Sequence, residues 1–214
     1  MNNNSVLYRF SLLISLITLI SCPLVAQQNV ADSLKKILSS AKNDTTKIHT
    51  LILISEEYSL SLPDTALYYT EKALYLCDTL LFSESNELIR IALMKQKALT
   101  LNNFGTYYQD RGETEKALRY HNKSLQIRKK INDKNGIANS LNNIGYNYKN
   151  IGETEKALEY FNKSLKIREE INDIKGIATS LNNIGYIYYY QGNVEKTIEY
   201  LHKSIKFFEE IHDK

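Results

Sequence analysis

The second half of the sequence repeats itself with a period of 40 residues. Residues 135–174 and 175–214 align without a gap and share 23 identical residues in 40 positions. An asparagine doublet recurs in the same register, at 102–103, 142–143 and 182–183. Such self-similarity is typical of folds that stack one supersecondary unit, because a single unit cannot bury its apolar face alone. The period therefore limits the chain to a repeat architecture.

Each repeat predicts a pair of helices. In the third copy Leu141, Ile144, Gly145 and Tyr148 follow the spacing of one face of an α-helix. Gly152 is expected to end that helix, because glycine accepts the left-handed conformation common at helix C-termini. A second helical stripe follows it, and no strand-like alternation competes. The predicted fold class is all-α.

Four such pairs account for most of the chain, the first of them a weaker copy. The predicted domains are a signal peptide over 1–26, a leading segment with a short helix over 27–44, and a solenoid over 45–214. Within the solenoid the predicted repeats span about 45–83, 84–132, 133–172 and 173–214.

The spacing L-x2-I-G-x2-Y-x3-G-x4-A-x3-F-x2-S, from Leu141 to Ser164, resembles the tetratricopeptide repeat. The sequence departs from that family in its longer period, the usual one being about 34 residues, in serine at the second alanine position, and in lacking a terminal proline. The resemblance implies a right-handed α-solenoid of stacked antiparallel helix pairs, whose first helices line a concave groove. It also implies that protein or peptide partners bind in the groove, with no catalysis and no cofactor.

The asparagine doublet falls on the side of the first helix opposite the apolar stripe. At 100° per residue, Tyr146, Lys149 and Asn150 fall on the same side. Carboxamides offer donors and acceptors to a peptide backbone, and tyrosine joins apolar area to a polar tip. Two interpretations stay open: the asparagines contact a ligand, or they bridge adjacent repeats or are only solvated. The candidate groove residues are Asn103, Asn143, Asn183, Tyr146, Tyr186, Lys149, Tyr189, Asn150 and Tyr190.

No pattern indicates an enzyme, a metal site or a small-molecule substrate. The four histidines lie far apart, and no glycine-rich phosphate loop occurs. His121 takes the place that Phe161 and Leu201 hold in later repeats, which indicates packing. Cys77 has no suggested histidine partner and is expected to be a buried, inert thiol.

The charge balance argues against nucleic acid as a partner. The chain has 27 basic and 24 acidic residues and a net charge of +3, without a concentrated basic face. The segments IRKKIND and IREEIND are interpreted as solvated helix faces.

The N-terminus predicts export. An early cation, an apolar run over 10–20 and Ala26 match a secretory signal peptide, with an N-terminal membrane anchor as the alternative. The residues at 19–22 resemble a bacterial lipobox, so lipidation of Cys22 stays open. The chain is expected in the periplasm or cell envelope, touching a membrane only if it is anchored at its N-terminus. Its composition, rich in asparagine and lysine, resembles exported proteins of Bacteroidota.

The last helix carries apolar residues that no further repeat follows, among them Leu201, Ile205 and Phe208. Exposed apolar surface marks an interface or a missing segment, so self-association through this repeat is expected. The predicted function is a non-catalytic protein- or peptide-binding scaffold outside the cytoplasm. The alternative is a sensory region or fragment of a signal-transduction protein such as a sensor histidine kinase.

Overall fold

The computed structural model describes residues 29–212, and within that part of the chain it contains helices and turns and no strand. The prediction of an all-α fold is confirmed. The expected signal peptide, with Cys22, lies outside the described residues. The helices are α1 (29–40), α2 (Asp44–Tyr58), α3 (Pro63–Ser83), α4 (Glu87–Asp110), α5 (Thr114–Lys130), α6 (Lys134–Asn150), α7 (Thr154–Glu170), α8 (Ile174–Tyr190) and α9 (Val194–His212).

The described chain forms two compact units, 29–72 and 73–212, whose boundary falls inside α3. In the first unit, α1 and α2 enclose a small core that includes Ile54 and Tyr58. The Tyr58 ring stacks on Tyr69, with ring centroids 6.4 Å apart. The predicted division into a leading segment and one solenoid over 45–214 stays a prediction.

The second unit is a stack of helix pairs. α4 packs on α5, α6 on α7 and α8 on α9, and each pair also contacts the next through α5 with α6 and α7 with α8. This order gives the stacked antiparallel helix pairs of a tetratricopeptide-like solenoid, as the sequence predicted.

Backbone conformation at the turns explains where the helices end. Gly112, Gly152 and Gly192 follow α4, α6 and α8 with φ of +72 to +79°, a region that costs glycine little. The expectation for Gly152 is confirmed. Asn132 and Asn172 take the same role after α5 and α7, at φ of 53 and 54°, as asparagine tolerates this conformation better than most residues.

Small residues let the two helices of each pair approach closely. A Cβ added to Gly145 would lie 2.9 Å from the Phe161 ring and 3.3 Å from the carbonyl oxygen of Ala157. The predicted contact between these positions is therefore present. Gly105 faces His121 in the same manner, which confirms a packing role for that histidine.

Serine at the family's alanine position adds a hydrogen bond within each pair. The hydroxyls of Ser124, Ser164 and Ser204 donate to first-helix carbonyl oxygens 26 residues earlier, at 2.7–2.8 Å. These hydroxyls are buried, and an unmatched hydroxyl would be costly there.

The interpretation of IRKKIND and IREEIND as solvated faces is wrong for their arginines. Arg128 and Arg168 are only 6% and 5% exposed. Arg168 donates to the carbonyl oxygen of Gly176 at 2.5 Å and to the side-chain oxygen of Asn139 at 2.9 Å. Its long side chain reaches the next repeat's first helix, so a residue that looks like surface charge joins two repeats. Burial lowers the pKa of both guanidinium groups, and Asp133 and Asp173 partly oppose the shift.

Within residues 29–212 no helix is both long enough and apolar enough to span a membrane.

Candidate functional site

The candidate residues lie on one face of α4, α6 and α8, here termed the first-helix face. On α6, Leu141 and Ile144 are buried in a cluster with Leu125 of α5, and Gly145 is buried against α7, whereas Tyr146 and Asn150 are exposed. The equivalent residues of α8 follow the same pattern, with Tyr186, Tyr189 and Tyr190 exposed. The sequence placed these side chains on the correct side of their helices; whether a ligand binds there remains a prediction.

The asparagines join neighbouring repeats. Asn143 donates from Nδ2 to Oδ1 of Asn102 at 2.9 Å, and Asn183 donates in the same way to Asn142 at 2.9 Å. The second asparagine of one doublet therefore reaches the first asparagine of the preceding doublet. Of the two interpretations left open, bridging between repeats is present in the structure, and it explains why asparagines come in pairs.

The bridges leave acceptor capacity on the first-helix face. The side-chain oxygens of Asn143 and Asn183 accept no hydrogen bond from any described residue. Both side chains are partly exposed. Each bridge thus holds a carboxamide in a fixed orientation with its oxygen available to a donor from outside.

A second bridge was not anticipated from the sequence. Asn147 is 1% exposed and donates from Nδ2 to Oε1 of Gln109 at 2.7 Å. The signal was present in the repeat alignment, because Asn147 corresponds to the buried Ile187 of the next copy. A polar residue at an interior position requires a partner, and the preceding repeat provides it.

Two of the aromatic candidates lie around one ammonium group, and the other two pack against one of those rings. Nζ of Lys149 lies 3.9 Å from the ring centroid of Tyr146 and 5.0 Å from that of Tyr186, so the lysine is held between two repeats. Burial lowers the pKa of Lys149, and Tyr186 opposes the shift. The ring centroids of Tyr186 and Tyr190 lie 4.8 Å apart, and their hydroxyls form a 2.8 Å hydrogen bond that raises the pKa of Tyr190.

We term this group the tyrosine–lysine cluster. The cluster is most exposed on α8, where Tyr189 and Tyr190 are 64% and 63% exposed. Cation–π contacts and mutual ring packing hold the side chains in place before any ligand arrives. Its members are Tyr146, Lys149, Tyr186, Tyr189 and Tyr190.

The two remaining candidates, Asn103 and Asn150, lie outside the tyrosine–lysine cluster. Asn103 lies half-buried on α4, one residue beyond the asparagine that accepts the inter-repeat bond. Asn150 is exposed at the last position of α6 and forms no hydrogen bond with a described residue. Asn143 and Asn183 of the predicted row therefore do not bond to each other or to Asn103. Each bonds instead to the first asparagine of the preceding doublet.

Behind the first-helix face, His121 is fully buried and its Nδ1 donates to Oδ1 of Asn102 at 3.2 Å. The same oxygen accepts the bond from Asn143, so one carboxamide connects the core of its repeat to the next repeat. Burial lowers the pKa of His121 to about 4, with the charge of Arg128 contributing in the same direction.

Groups that could perform chemistry are isolated in the described part of the chain. No three histidine, cysteine or acidic side chains there converge as metal ligands. Cys77 is a buried free thiol whose pKa is raised to about 12 by burial. A thiol is nucleophilic only as its thiolate, so Cys77 is inert near neutral pH.

A cleft of about 500 Å³ opens on the other side of the stack, between α5, α6 and α7. Its lining includes the apolar residues Leu125, Ile137 and Ile167 and the lysines Lys129 and Lys166. None of the candidate residues lines this cleft.

Comparisons with known proteins agree with this geometry. Tetratricopeptide-repeat family models match residues 96–170 and 177–213, which together span more than half of the chain. No curated protein sequence matches it significantly.

Several solved structures share the fold at low identity. A Rap protein complexed with competence and sporulation factor superposes with a TM-score of 0.74 at 20% identity, covering 91% of this chain and 53% of that one. Aspartyl phosphate phosphatase F from Bacillus subtilis gives 0.72 at 20% identity, covering 84% and 45%. A signal transduction ATPase with a tetratricopeptide repeat sensor, from Pyrococcus horikoshii, gives 0.70 at 19% identity, covering 92% and 29%. This chain thus spans about half or less of the length of these three structures.

The repeat spacing, the stacked helix pairs and the family matches all agree. The chain belongs to the tetratricopeptide-repeat family and is a protein-binding repeat scaffold.

Proposed function

We propose that the first-helix face binds an extended segment of a partner protein, with the tyrosine–lysine cluster as its main contact. The observation that carries this proposal is the exposure of Tyr189 and Tyr190, which pack against Tyr186, one of the two rings that hold Lys149. Large aromatic side chains are usually covered when they serve only to pack. Tyrosines are also enriched at the centres of protein interfaces, where they lose little conformational entropy on binding.

The chemistry of the face suits a peptide backbone and one or two anchoring side chains. The free oxygens of Asn143 and Asn183 can accept amide N–H groups of an extended segment. The tyrosine rings offer apolar area for a side chain of the partner, and the ammonium group of Lys149 attracts a carboxylate beside it. Because the inter-repeat bonds fix both carboxamides, these side chains lose little conformational entropy when a partner binds.

A photocrosslinking amino acid placed at position 189 tests this proposal. We expect adducts with a discrete partner, and we expect them to disappear when Tyr186 and Lys149 are both replaced by alanine. The matched control places the same crosslinker at Tyr75, which is 74% exposed on α3 and lies off the first-helix face. Equal adducts from both positions would show that exposure alone produces them and would reject the face as the binding site.

We also propose that the scaffold acts outside the cytoplasm, in the periplasm or cell envelope. The support is the sequence of residues 1–26, with its early cation, apolar run and Ala26. N-terminal sequencing of the mature protein tests this: a start at residue 27 supports cleaved export, and an acylated Cys22 supports a lipid-anchored form. A cytoplasmic protein that retains Met1 would contradict both.

A sensory role within a signalling protein is the second candidate. It is favoured by the structural likeness to a signal transduction ATPase whose tetratricopeptide repeats are described as its sensor. Reading the gene beyond residue 214 tests it. A transmembrane helix followed by a kinase core would support the sensory role, and a stop codon there would contradict it.

A further inference from the structure

α9 presents an apolar face that no described residue covers. Ile198 and Ile205 are 63% and 52% exposed, and Phe208 is 38% exposed. At the position equivalent to Ile205, Leu125 of α5 is 7% exposed. Helices at the same place in earlier repeats therefore bury this face, and α9 leaves it open.

The earlier repeats show what normally covers the face. On α7, Leu158 and Leu165 pack against a cluster that includes Ile184 and Ile187 of α8. On α9, Phe208 occupies the position of the buried Arg168, so an apolar residue stands where α7 has a hydrogen-bonding one. The change makes the face of α9 more apolar and better suited to meet another apolar helix.

Two charges flank this face without a partner. Glu195 and Lys206 are 11 residues apart, so they lie within about 20° of each other on the helix, one near each end of the apolar face. Neither forms an ion pair with a side chain that the structure describes, whereas Glu199 and Lys203 between them pair with each other at 2.5 Å.

We propose that α9 docks on α9 of a second copy of the chain, in antiparallel orientation. A two-fold axis near Leu201 brings Ile198 of each copy opposite Ile205 of the other and Val194 opposite Phe208. The same axis brings each Glu195 opposite the other copy's Lys206. One register thus satisfies both the apolar contacts and the charges of Glu195 and Lys206, as a self-complementary interface requires. This dimer is independent of peptide binding on the first-helix face.

Charge reversal tests the register directly. Sedimentation velocity across a concentration series should show a monomer–dimer equilibrium for the wild-type chain. Glu195→Lys alone and Lys206→Glu alone should each weaken dimerisation by about tenfold, because each reversal creates two repulsive contacts. Glu155→Lys, at the equivalent position of α7, is the matched control and should leave the equilibrium unchanged.

Mixing the two reversed variants provides the decisive arm. In an antiparallel pair, Glu195→Lys and Lys206→Glu chains complement each other at both contacts, so the mixture should recover the wild-type affinity. Circular dichroism checks that each variant is folded. A wild-type chain that stays monomeric would overturn the proposal and mean that something else covers α9. Dimerisation insensitive to reversal, or a mixture that does not recover, would overturn it as well and place the contact elsewhere.

Discussion

Protonation of His121 should destabilise the repeat stack in mild acid. The ring is fully buried, its Nδ1 donates to Asn102, and its Nε2 has no hydrogen-bond partner among the described residues. A proton added at Nε2 would create a buried cation with nothing to accept its N–H. Burial, reinforced by the charge of Arg128, therefore lowers the pKa of His121 from 6.5 to about 4.

The direction and magnitude of this destabilisation follow from the pKa of His121 in the unfolded chain and in the folded chain. The unfolded chain binds this proton near pH 6.5 and the folded chain only near pH 4, so acid favours unfolding in between. At pH 5, about 1.5 units below the unfolded value, the loss is about 2 kcal/mol, since each unit is worth about 1.4 kcal/mol. The loss begins as the pH falls below about 6.5, grows until about pH 4, and increases no further below that pH.

Urea unfolding followed by circular dichroism at pH 7 and pH 5 measures the effect. His121→Phe is the test variant, because Phe161 occupies the same place against Gly145 in the next repeat. Between the two pH values the wild type should lose about 2 kcal/mol more stability than this variant. Equal losses would refute the buried neutral imidazole. His202→Gln, at an exposed position on α9, is the control and should keep the wild-type pH dependence.

Three further predictions concern packing and the buried groups. Gly145→Ala should lower the free energy of unfolding in urea by about 1–3 kcal/mol. Gly185→Ala should lower it less, because the Phe161 ring lies closer to Gly145 than the Leu201 side chain lies to Gly185. Equal losses for the two variants would contradict the assigned contacts. Arg168→Met should lower the free energy of unfolding by about 2–3 kcal/mol, since it removes three hydrogen bonds. Arg128→Met should lower it clearly less, because the Arg128 guanidinium donates no hydrogen bond to a described residue. A larger loss for Arg128→Met than for Arg168→Met would contradict these assignments. Cys77 should resist alkylation at pH 8 until the chain is unfolded, as peptide mass spectrometry can show, and rapid labelling of the native protein would contradict its burial.

The fold was predictable from the sequence because its determinants are local and repeated. The stripe through Leu141 and Gly145 specifies which side of α6 is buried, and Gly152 marks where the helix ends. Each of these features acts within one helix or one turn, so periodicity alone reveals it.

The contacts between repeats were not predictable, because they depend on how adjacent helix pairs are staggered. A helical wheel places Asn142 and Asn143 on the outer side of α6, but it cannot show that Asn143 reaches Asn102 rather than Asn103. The burial of Arg168 had one sequence signal, the apolar Phe208 at the equivalent position, and its charged neighbours obscured that signal.

The asparagine doublets consequently have two roles with different consequences. The bond from Asn183 to Asn142 contributes to the joint between repeats, at about 0.5–1.5 kcal/mol for a typical hydrogen bond. The free oxygen on the same carboxamide belongs to the first-helix face. Replacing Asn183 would therefore alter stability and binding together, so the exposed tyrosines test binding more cleanly.

The central claim is that the tyrosine–lysine cluster binds the partner, and isothermal titration calorimetry with a segment identified by crosslinking tests it most directly. The Tyr186→Ala/Tyr189→Ala variant should bind that segment at least about tenfold more weakly than the wild type, as expected for aromatic residues at the centre of an interface. Its helicity should not change, and Tyr75→Ala should bind like the wild type. An affinity that survives the loss of both tyrosines would contradict the claim and show that the first-helix face is not where the partner binds.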